Sequence, residues 1–192
     1  MRFLTAVIAL AVFGAGALAQ VSTNDPHKMG PTLDKLAELD LANRILPLLM
    51  TKDQIKKMLP EIEKARKNVR DQEKKEADRL AKLQPEIDKY HAEILQGKTP
   101  PQTFLDQVTS LFKKFDSERL QVKVANALIL SEAMNKNLNE GQIKAAVGVV
   151  DKIYDEQNKK WENGTTGQKL QFYAVTIFMG ERAYDLLVKL SR

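Results

Sequence analysis

Apolar residues recur every three or four positions through residues 51–96, and this repeat constrains the fold more than any other feature of the sequence. Steps of three and four place side chains on one face of an α-helix, so the stretch is predicted to form a long amphipathic helix. Pro60 and Pro85 lie inside the repeat and should each kink or divide the helix, because proline removes a backbone hydrogen bond. The repeat runs through Ile55, Met58, Leu59, Ile62, Ala65, Val69, Ala77, Leu80, Leu83, Ile87, Tyr90 and Ile94.

The remainder of the chain also has the spacing of helices. Helical patterns are found at 33–41, 101–136, 140–161 and 168–190. The least polar stretch, 172–180, lies between Lys169 and Glu181, so it is predicted to be a buried helix and not a membrane span. No segment gives a convincing strand pattern, and the sequence therefore predicts an all-α fold. The aromatic residues expected in its core are Trp161, Phe172, Tyr173, Phe178 and Tyr184.

The length of the first long helix bears on the architecture. An unbroken helix over residues 52–96 would measure about 67 Å at about 1.5 Å per residue. A compact chain of this size has a radius of gyration of only about 16 Å. We therefore expect an elongated or kinked antiparallel bundle of about four long helices plus a short N-terminal helix.

The first 19 residues have the composition of a secretory signal peptide. Arg2 precedes an apolar run that is shorter than the roughly 20 residues needed to span a membrane, and Ala17-Leu18-Ala19 supplies a small-residue cleavage site. The predicted mature protein is periplasmic or secreted. Residues 20–31 are expected to be a flexible leader, and 32–192 a single all-helical domain.

Composition excludes several classes of function. The chain has no cysteine, so it has neither disulfides nor thiolate metal sites. Its formal net charge of +5 is distributed along the chain and does not form the basic stripe with interleaved aromatics that is typical of nucleic-acid binding. No nucleophile, base or paired carboxylates form a catalytic constellation. We predict that the protein is not an enzyme, requires no cofactor and binds no nucleic acid.

Four predicted helix N-termini share one sequence motif, in which Thr or Asn is followed three positions later by Gln. In such a capping box the first side chain accepts from the amide of the Gln, and the Gln side chain accepts from the amide of the first residue. Any single box is explained by good helix capping alone. The four boxes are Thr51–Gln54, Thr99–Gln102, Asn139–Gln142 and Thr165–Gln168.

Two of these boxes have apolar neighbours and resemble the paired LTxxQ motifs of the Spy- and CpxP-like periplasmic proteins. The matching positions are Met50, Thr51 and Gln54 in the first box and Leu138, Asn139 and Gln142 in the second. The resemblance covers about residues 45–162. The chain departs from the motif at Met50, where the family has Leu, and at Asn139, where it has Thr.

The resemblance implies a thin, curved helical homodimer that binds partly unfolded client proteins without ATP, as a chaperone or an envelope-stress modulator. Its binding surface would be concave, basic and apolar. A solvated helix face above a buried apolar stripe is the structural alternative for the same residues. Candidates for client binding are Lys56, Lys57, Met58, Lys64, Arg66, Lys67 and Arg70.

Two other functions are consistent with the sequence. A structural or adaptor bundle would use the stripe of residues 62–94 as a coiled-coil seam for one dedicated envelope partner. A metal-responsive periplasmic protein would use His91 with Asp88, one helical turn away, or His27 in the leader. Both sets are too small for a metal site by themselves, so no metal is assigned.

Overall fold

A computed structural model describes residues 30–155 and 160–192 of the chain. The predicted signal peptide, nearly all of the predicted leader and His27 lie outside the described residues. Among those that are described, no helix is both long and apolar enough to cross a membrane.

The all-α prediction is confirmed. Six α-helices account for most of the described residues, with one short β-hairpin, one 3₁₀ turn and one π-helical segment. In chain order the elements are α1 (Gly30–Ile45), the 3₁₀ turn (Leu46–Leu48), α2 (Lys52–Ile94), α3 (Gln102–Asn137), α4 (Glu140–Gly148), β1 (Ile153–Asp155), β2 (Lys160–Glu162), α5 (Thr166–Tyr173), the π-helical segment (Ala174–Phe178) and α6 (Glu181–Ser191).

Neither proline divides α2, which runs without interruption through Pro60 and Pro85. Each proline removes one N–H donor, but the residues around both are strong helix formers, mainly Glu, Lys, Leu and Gln. Gly180 divides the predicted last helix instead, since it adopts an extended conformation and precedes α6 as its N-cap.

The third predicted helix is shorter than expected. It ends at Gly148 and not near Trp161, because glycine has poor helix propensity and the chain beyond it is rich in strand formers. Ile153 pairs with Glu162, and Asp155 with Lys160, in an antiparallel hairpin. The side chain of Trp161 is 55% exposed on this hairpin, so its predicted place in the core was wrong.

The described chain forms two compact units. The first, which we call the core unit, comprises the described residues up to Ala65 together with Asn126–Arg192. The second, which we call the hairpin unit, is Arg66–Ala125 and consists of the second part of α2, a turn containing Gly97, and the first part of α3. Gly97 has a φ of 78°, a conformation that glycine adopts without strain.

The core unit has an apolar interior. Tyr173 and Phe178 are fully buried and meet edge to face, with ring centroids 5.4 Å apart. Buried Asn126 donates from Nδ2 to the carbonyl oxygen of Ala65 at 2.9 Å, which links α2 to α3. Other fully buried apolar side chains are Leu48, Met58, Ile62, Leu130, Met134 and Leu187. Each contributes about 1.5–3 kcal/mol through burial.

The hairpin unit has an interior of a different kind. Phe115 is its single buried apolar side chain; the other buried residues among 66–125 are Gln72 and Glu76. Tyr90 and Phe104 are in contact as a tilted pair, with ring centroids 4.5 Å apart. Several large apolar side chains of this unit remain exposed: Ile94, Leu95, Leu105 and Phe112.

Polar groups connect the two helices of the hairpin unit. Arg119 Nε donates to Glu76 Oε1 at 2.9 Å, and Gln72 Nε2 donates to the same oxygen at 3.2 Å. Gln72 Nε2 also donates to Glu118 Oε2 at 2.9 Å, and Arg79 Nη1 donates to Glu118 Oε2 at 2.6 Å. We call these five residues the ion layer.

Candidate functional site

The first predicted box, at the start of α2, is present. Gln54 N donates to Thr51 Oγ1 at 3.2 Å, and Thr51 N donates to Gln54 Oε1 at 2.9 Å. These two bonds satisfy amides that have no carbonyl partner within the first turn of the helix. Met50, the residue before the cap, is partly buried against the apolar core.

The second box, at the start of α4, has the same geometry. Gln142 N donates to Asn139 Oδ1 and Asn139 N donates to Gln142 Oε1, both at 2.9 Å. Leu138 before the cap is buried. Asparagine therefore performs the capping role here that threonine performs at the start of α2.

The fold brings the two boxes into direct contact through their glutamines. Gln54 Nε2 donates to Gln142 Oε1, and Gln142 Nε2 donates to Gln54 Oε1, both at 2.9 Å. The second N–H of each amide reaches across to the other box: Gln54 Nε2 donates to the carbonyl oxygen of Asn137, and Gln142 Nε2 donates to that of Leu49. We call this arrangement the paired boxes.

The paired boxes fix the starts of two helices that are far apart in sequence. Each glutamine oxygen accepts two hydrogen bonds and each glutamine nitrogen donates two, so both amides are fully used. Leu49, which supplies one of the acceptors, has a φ of 48°, a conformation that a leucine rarely adopts. The sequence identified both boxes; their pairing was not predicted.

The other two predicted boxes have different outcomes. Thr165 and Gln168 form a complete capping box at α5, with bonds of 2.8 and 3.3 Å. At α3 the side chain of Gln102 donates to Asp106 Oδ1 at 2.8 Å. The helix begins at Gln102 itself, and no hydrogen bond joins Thr99 to Gln102 in the described chain, so the predicted box at Thr99 does not form.

A surface groove of about 620 Å³ runs beside the paired boxes in the core unit, and we call it the lysine groove. Asn137 belongs to both: its carbonyl oxygen accepts from Gln54, while the residue lines the groove. The other lining residues are Lys57, Glu61 and Lys64 from α2 and Ile129, Glu132, Ala133 and Lys136 from α3.

The charges of the lysine groove are only partly neutralised within the protein. Lys64 lies 4.0 Å from Glu61, a distance at the limit of an ion pair. Lys57 and Lys136 form neither an ion pair nor a hydrogen bond with any other residue that the structure describes. Ile129 and Ala133 supply apolar surface between these cations. The groove can therefore take an acidic chain that also carries apolar side chains.

The structure separates the predicted client-binding residues. Lys57 and Lys64 line the groove, whereas Lys56 is exposed outside its lining.

Lys67 pairs with Asp71 one turn further along α2, which lowers the pKa of the Asp71 carboxyl. Arg66 is half-buried and Arg70 is exposed, and both belong to the hairpin unit.

Met58 needs a correction. The side chain is fully buried in the core unit, where its sulfur lies 4.0 Å from Asn137 Nδ2, so it cannot be part of an exposed binding surface in this conformation. Lys136 and Ile129 also line the groove and were not predicted as site residues. Their spacing of seven positions on α3 places them on one helix face, but the sequence did not show that this face lies across a groove from Lys57.

The predicted metal ligands do not form a metal site in the part of the chain that is described. In that part no three His, Asp or Glu side chains lie close enough together to bind an ion. Asp88 accepts from Gln84 Nε2 at 2.7 Å, and His91 is exposed one turn away. A carboxylate and an imidazole are too few ligands for a typical structural metal site. His27 lies outside the described residues.

Comparison with known proteins yields no relative for this chain: no protein-family model, curated protein or solved structure matches it.

Proposed function

We propose that this chain is an exported, ATP-independent binding protein, a chaperone or an envelope-stress modulator, that holds acidic and partly apolar segments of client proteins in the lysine groove. The observation that carries the proposal is the composition of the groove. Lys57, Lys64 and Lys136 outnumber Glu61 and Glu132 in a lining that also has apolar surface, and Lys57 and Lys136 lie beyond ion-pair distance of any acidic residue in the described chain.

The groove suits a variable client better than a single defined ligand. Lysine side chains are long and flexible, so their ammonium groups can follow carboxylates at different positions along a bound chain. Attraction between opposite charges speeds the encounter with a client, and apolar contact at Ile129 and Ala133 then slows its release. Because the paired boxes hold the carbonyl oxygen of Asn137, they fix one part of the groove.

The direct test is binding of a fluorescein-labelled acidic peptide that contains Leu and Phe, measured by fluorescence anisotropy with the full chain after removal of residues 1–19. The double substitution Lys57→Glu with Lys136→Glu should weaken binding about tenfold or more, because it reverses both unpaired cations. Lys56→Glu is the matched control. It makes the same change one position away on the same helix but outside the groove lining, and binding should stay within about twofold of the unsubstituted protein.

The chaperone activity needs its own measurement. Light scattering of reduced α-lactalbumin should show suppression of aggregation at near-equimolar chaperone without ATP, and the double substitution should remove most of that suppression. Absence of suppression by the unsubstituted protein, or equal loss with Lys56→Glu, would reject a client site in this groove. Export is tested separately, because N-terminal sequencing of the periplasmic or secreted product should begin at Gln20.

A dedicated protein partner is the second candidate, and the exposed apolar side chains of the hairpin unit favour it. Ile94, Leu95, Leu105 and Phe112 are each at least 39% exposed, more apolar surface than this hairpin needs for its own packing. A second copy of the chain would produce the homodimer that the family resemblance implies. Sedimentation analysis should show a dimer that Phe112→Ser weakens, whereas affinity capture of one stoichiometric foreign protein would favour an adaptor.

A further inference from the structure

A second cavity of about 480 Å³ opens on the core unit, with a lining separate from that of the lysine groove. Residues from the end of α1, the segment after α4, β2, α5 and the π-helical segment all contribute to it. Its volume is within the range of about 300–1,000 Å³ that is usual for small-molecule sites. Neither the client-binding proposal nor any predicted motif uses it.

The base of the cavity is apolar. Val150, Tyr173 and Ile177 line it and are themselves buried. The hydroxyl of Tyr173 donates to the carbonyl oxygen of Arg44 at 2.8 Å, so its one proton is already engaged. Burial raises the pKa of Tyr173, which keeps the phenol neutral over the physiological range. This base therefore offers apolar contact and no charge to a ligand.

Flat side chains and cations lie nearer the mouth. Phe172 and Trp161 both line the cavity, and the indole is more than half exposed.

Arg44 and Lys152 bring two positive charges against the single negative charge of Asp151. Lys169 adds a third cation close by, since its Nζ donates to the backbone carbonyl of Asp151 at 2.8 Å. Arg44 is partly neutralised by Asp40, at 3.0 Å, so Lys152 is the main cation of the lining.

The π-helical segment forms one wall. Such segments widen a helix by an extra residue in one turn, and they occur frequently at functional sites. Ile177 and Thr176, both on this segment, line the cavity. The Thr176 hydroxyl donates to the carbonyl oxygen of Phe172 at 2.7 Å, which uses its proton and leaves the oxygen able to accept.

We propose that this cavity binds a small amphipathic anion, with a flat apolar body against Phe172 and Trp161 and one carboxylate or sulfonate group directed to Lys152 and Arg44. An apolar base selects the body, and the cationic mouth selects the sign of the charged group. This site is independent of the client-binding groove, since the two linings share no residue.

The chain contains one tryptophan, and its place in the cavity lining makes the test direct. The probe is 8-anilinonaphthalene-1-sulfonate, excited through Trp161 so that energy transfer reports binding in the neighbourhood of Trp161, while substitution of the cations in the lining locates the site. N-phenyl-1-naphthylamine has the same ring system without the sulfonate and is the matched neutral probe. We expect one saturable sulfonate site with energy transfer, and binding of the neutral probe about tenfold weaker or more.

Charge reversal identifies the cations. Lys152→Glu should weaken sulfonate binding about tenfold while it leaves the neutral probe unchanged, and Arg44→Glu should have a smaller effect in the same direction. Lys136→Glu, in the lysine groove, and Phe112→Ser, in the hairpin unit, should leave the energy-transfer signal unchanged. Lys152→Glu should in turn leave binding of the acidic peptide unchanged, so failure of either proposal is recognised independently.

Three results would overturn the inference. The first is equal affinity for the charged and neutral probes. The second is sulfonate fluorescence without energy transfer from Trp161. The third is no response to Lys152→Glu in a variant whose thermal unfolding matches that of the unsubstituted protein.

Discussion

In the core unit the buried and half-buried side chains that join distant segments are neutral, and the ion pairs Arg182–Asp34 and Lys189–Glu38 lie exposed on its surface. In the hairpin unit the joining groups are mostly ions, and one of them is a buried carboxylate. Gln54 and Gln142 bond to each other at the edge of an apolar interior. In the hairpin unit Glu76 is buried with Arg119 as its partner, and Phe115 is the one apolar side chain buried nearby. The same two helices, α2 and α3, contribute to both units.

This difference determines how the stability of each unit depends on pH and salt. An apolar core with satisfied amides is stabilised mainly by burial, which depends little on pH or salt. An ion layer depends on the charge of its carboxylates and on how well each buried charge is paired. We therefore expect the core unit to set global stability and the hairpin unit to open locally at lower cost.

Truncation of a buried phenylalanine should separate the two units. Phe178→Ala in the core unit should lower the free energy of unfolding by about 3–5 kcal/mol, because it removes a fully buried ring and leaves a cavity. Urea titration followed by Trp161 fluorescence measures this loss. Phe115→Ala in the hairpin unit should instead speed amide hydrogen exchange within residues 66–125 and shift the Trp161 transition much less.

Leu39→Ala is the control for this first prediction, since Leu39 is 61% exposed and the change should be below about 0.5 kcal/mol. Equal shifts of the Trp161 transition for the two phenylalanine variants would show that the chain unfolds as one cooperative unit.

Breaking the ion layer should produce the next largest effect. Arg119→Met leaves the buried carboxylate of Glu76 without its charged donor, and we expect a loss of about 2–3 kcal/mol in local hairpin stability. Hydrogen exchange of hairpin amides reports it. Asp116→Asn is the control, because Asp116 is exposed and lies 3.8 Å from Arg119 at its closest. An unchanged exchange pattern in Arg119→Met would mean that the ion layer contributes no net stability.

The sequence was sufficient to predict what depends on periodicity and on local capping. Repeats of three and four gave the all-α class, and the Thr-x-x-Gln spacing correctly located the boxes at Thr51 and Thr165. Both signals act within a few turns of helix, where spacing alone fixes which groups can meet. The end of α4 at Gly148 was missed because a weak helix former competed with an apolar pattern that also fits strands.

Contacts between distant residues could not be predicted in the same way. The pairing of Gln54 with Gln142 and the position of Lys136 across from Lys57 depend on how α2, α3 and α4 dock. One clue was present: the apolar stripe of α2 fades between Arg70 and Glu76, where the buried positions of the hairpin unit are Gln72 and Glu76. A fading stripe indicated that something other than apolar packing lies there, but not which partners it has.

Substitutions of the two glutamines in the paired boxes should have coupled effects on the free energy of unfolding, which single substitutions cannot reveal. Gln54→Ala and Gln142→Ala should each cost about 1–2 kcal/mol, because each removes an acceptor and a donor from a shared network. In a double-mutant cycle the combined loss should be smaller than the sum of the two, since the second substitution removes a partner already lost. Gln168→Ala, from the isolated box at α5, is the additive control. Strict additivity of Gln54 and Gln142 would contradict the pairing.

Lowering the pH should weaken the ion layer and leave the paired boxes unchanged, and this is the smallest of the expected effects. Hydrogen bonds from Arg119 and Gln72 lower the pKa of Glu76 below its usual 4.5, and those from Arg79 and Gln72 lower the pKa of Glu118. A carboxyl whose pKa is lower in the folded state stabilises that state above its unfolded pKa, and the contribution disappears as the pH falls through the folded value. Protection of hairpin amides should thus be constant from pH 7 to about 5 and decrease below 4.5.

This acid effect should be smaller than that of Arg119→Met, since a protonated Glu76 keeps its position and part of its hydrogen bonding. Over the same range the paired boxes contain no group that titrates, so amides at the starts of α2 and α4 should keep their protection until the whole molecule unfolds. Glu76→Gln should flatten the response of the hairpin unit, leaving only the part due to Glu118. If the paired boxes and the ion layer lost protection in parallel, acid would be acting on the chain as a whole. The difference between the neutral paired boxes and the ion layer would then have no consequence for stability.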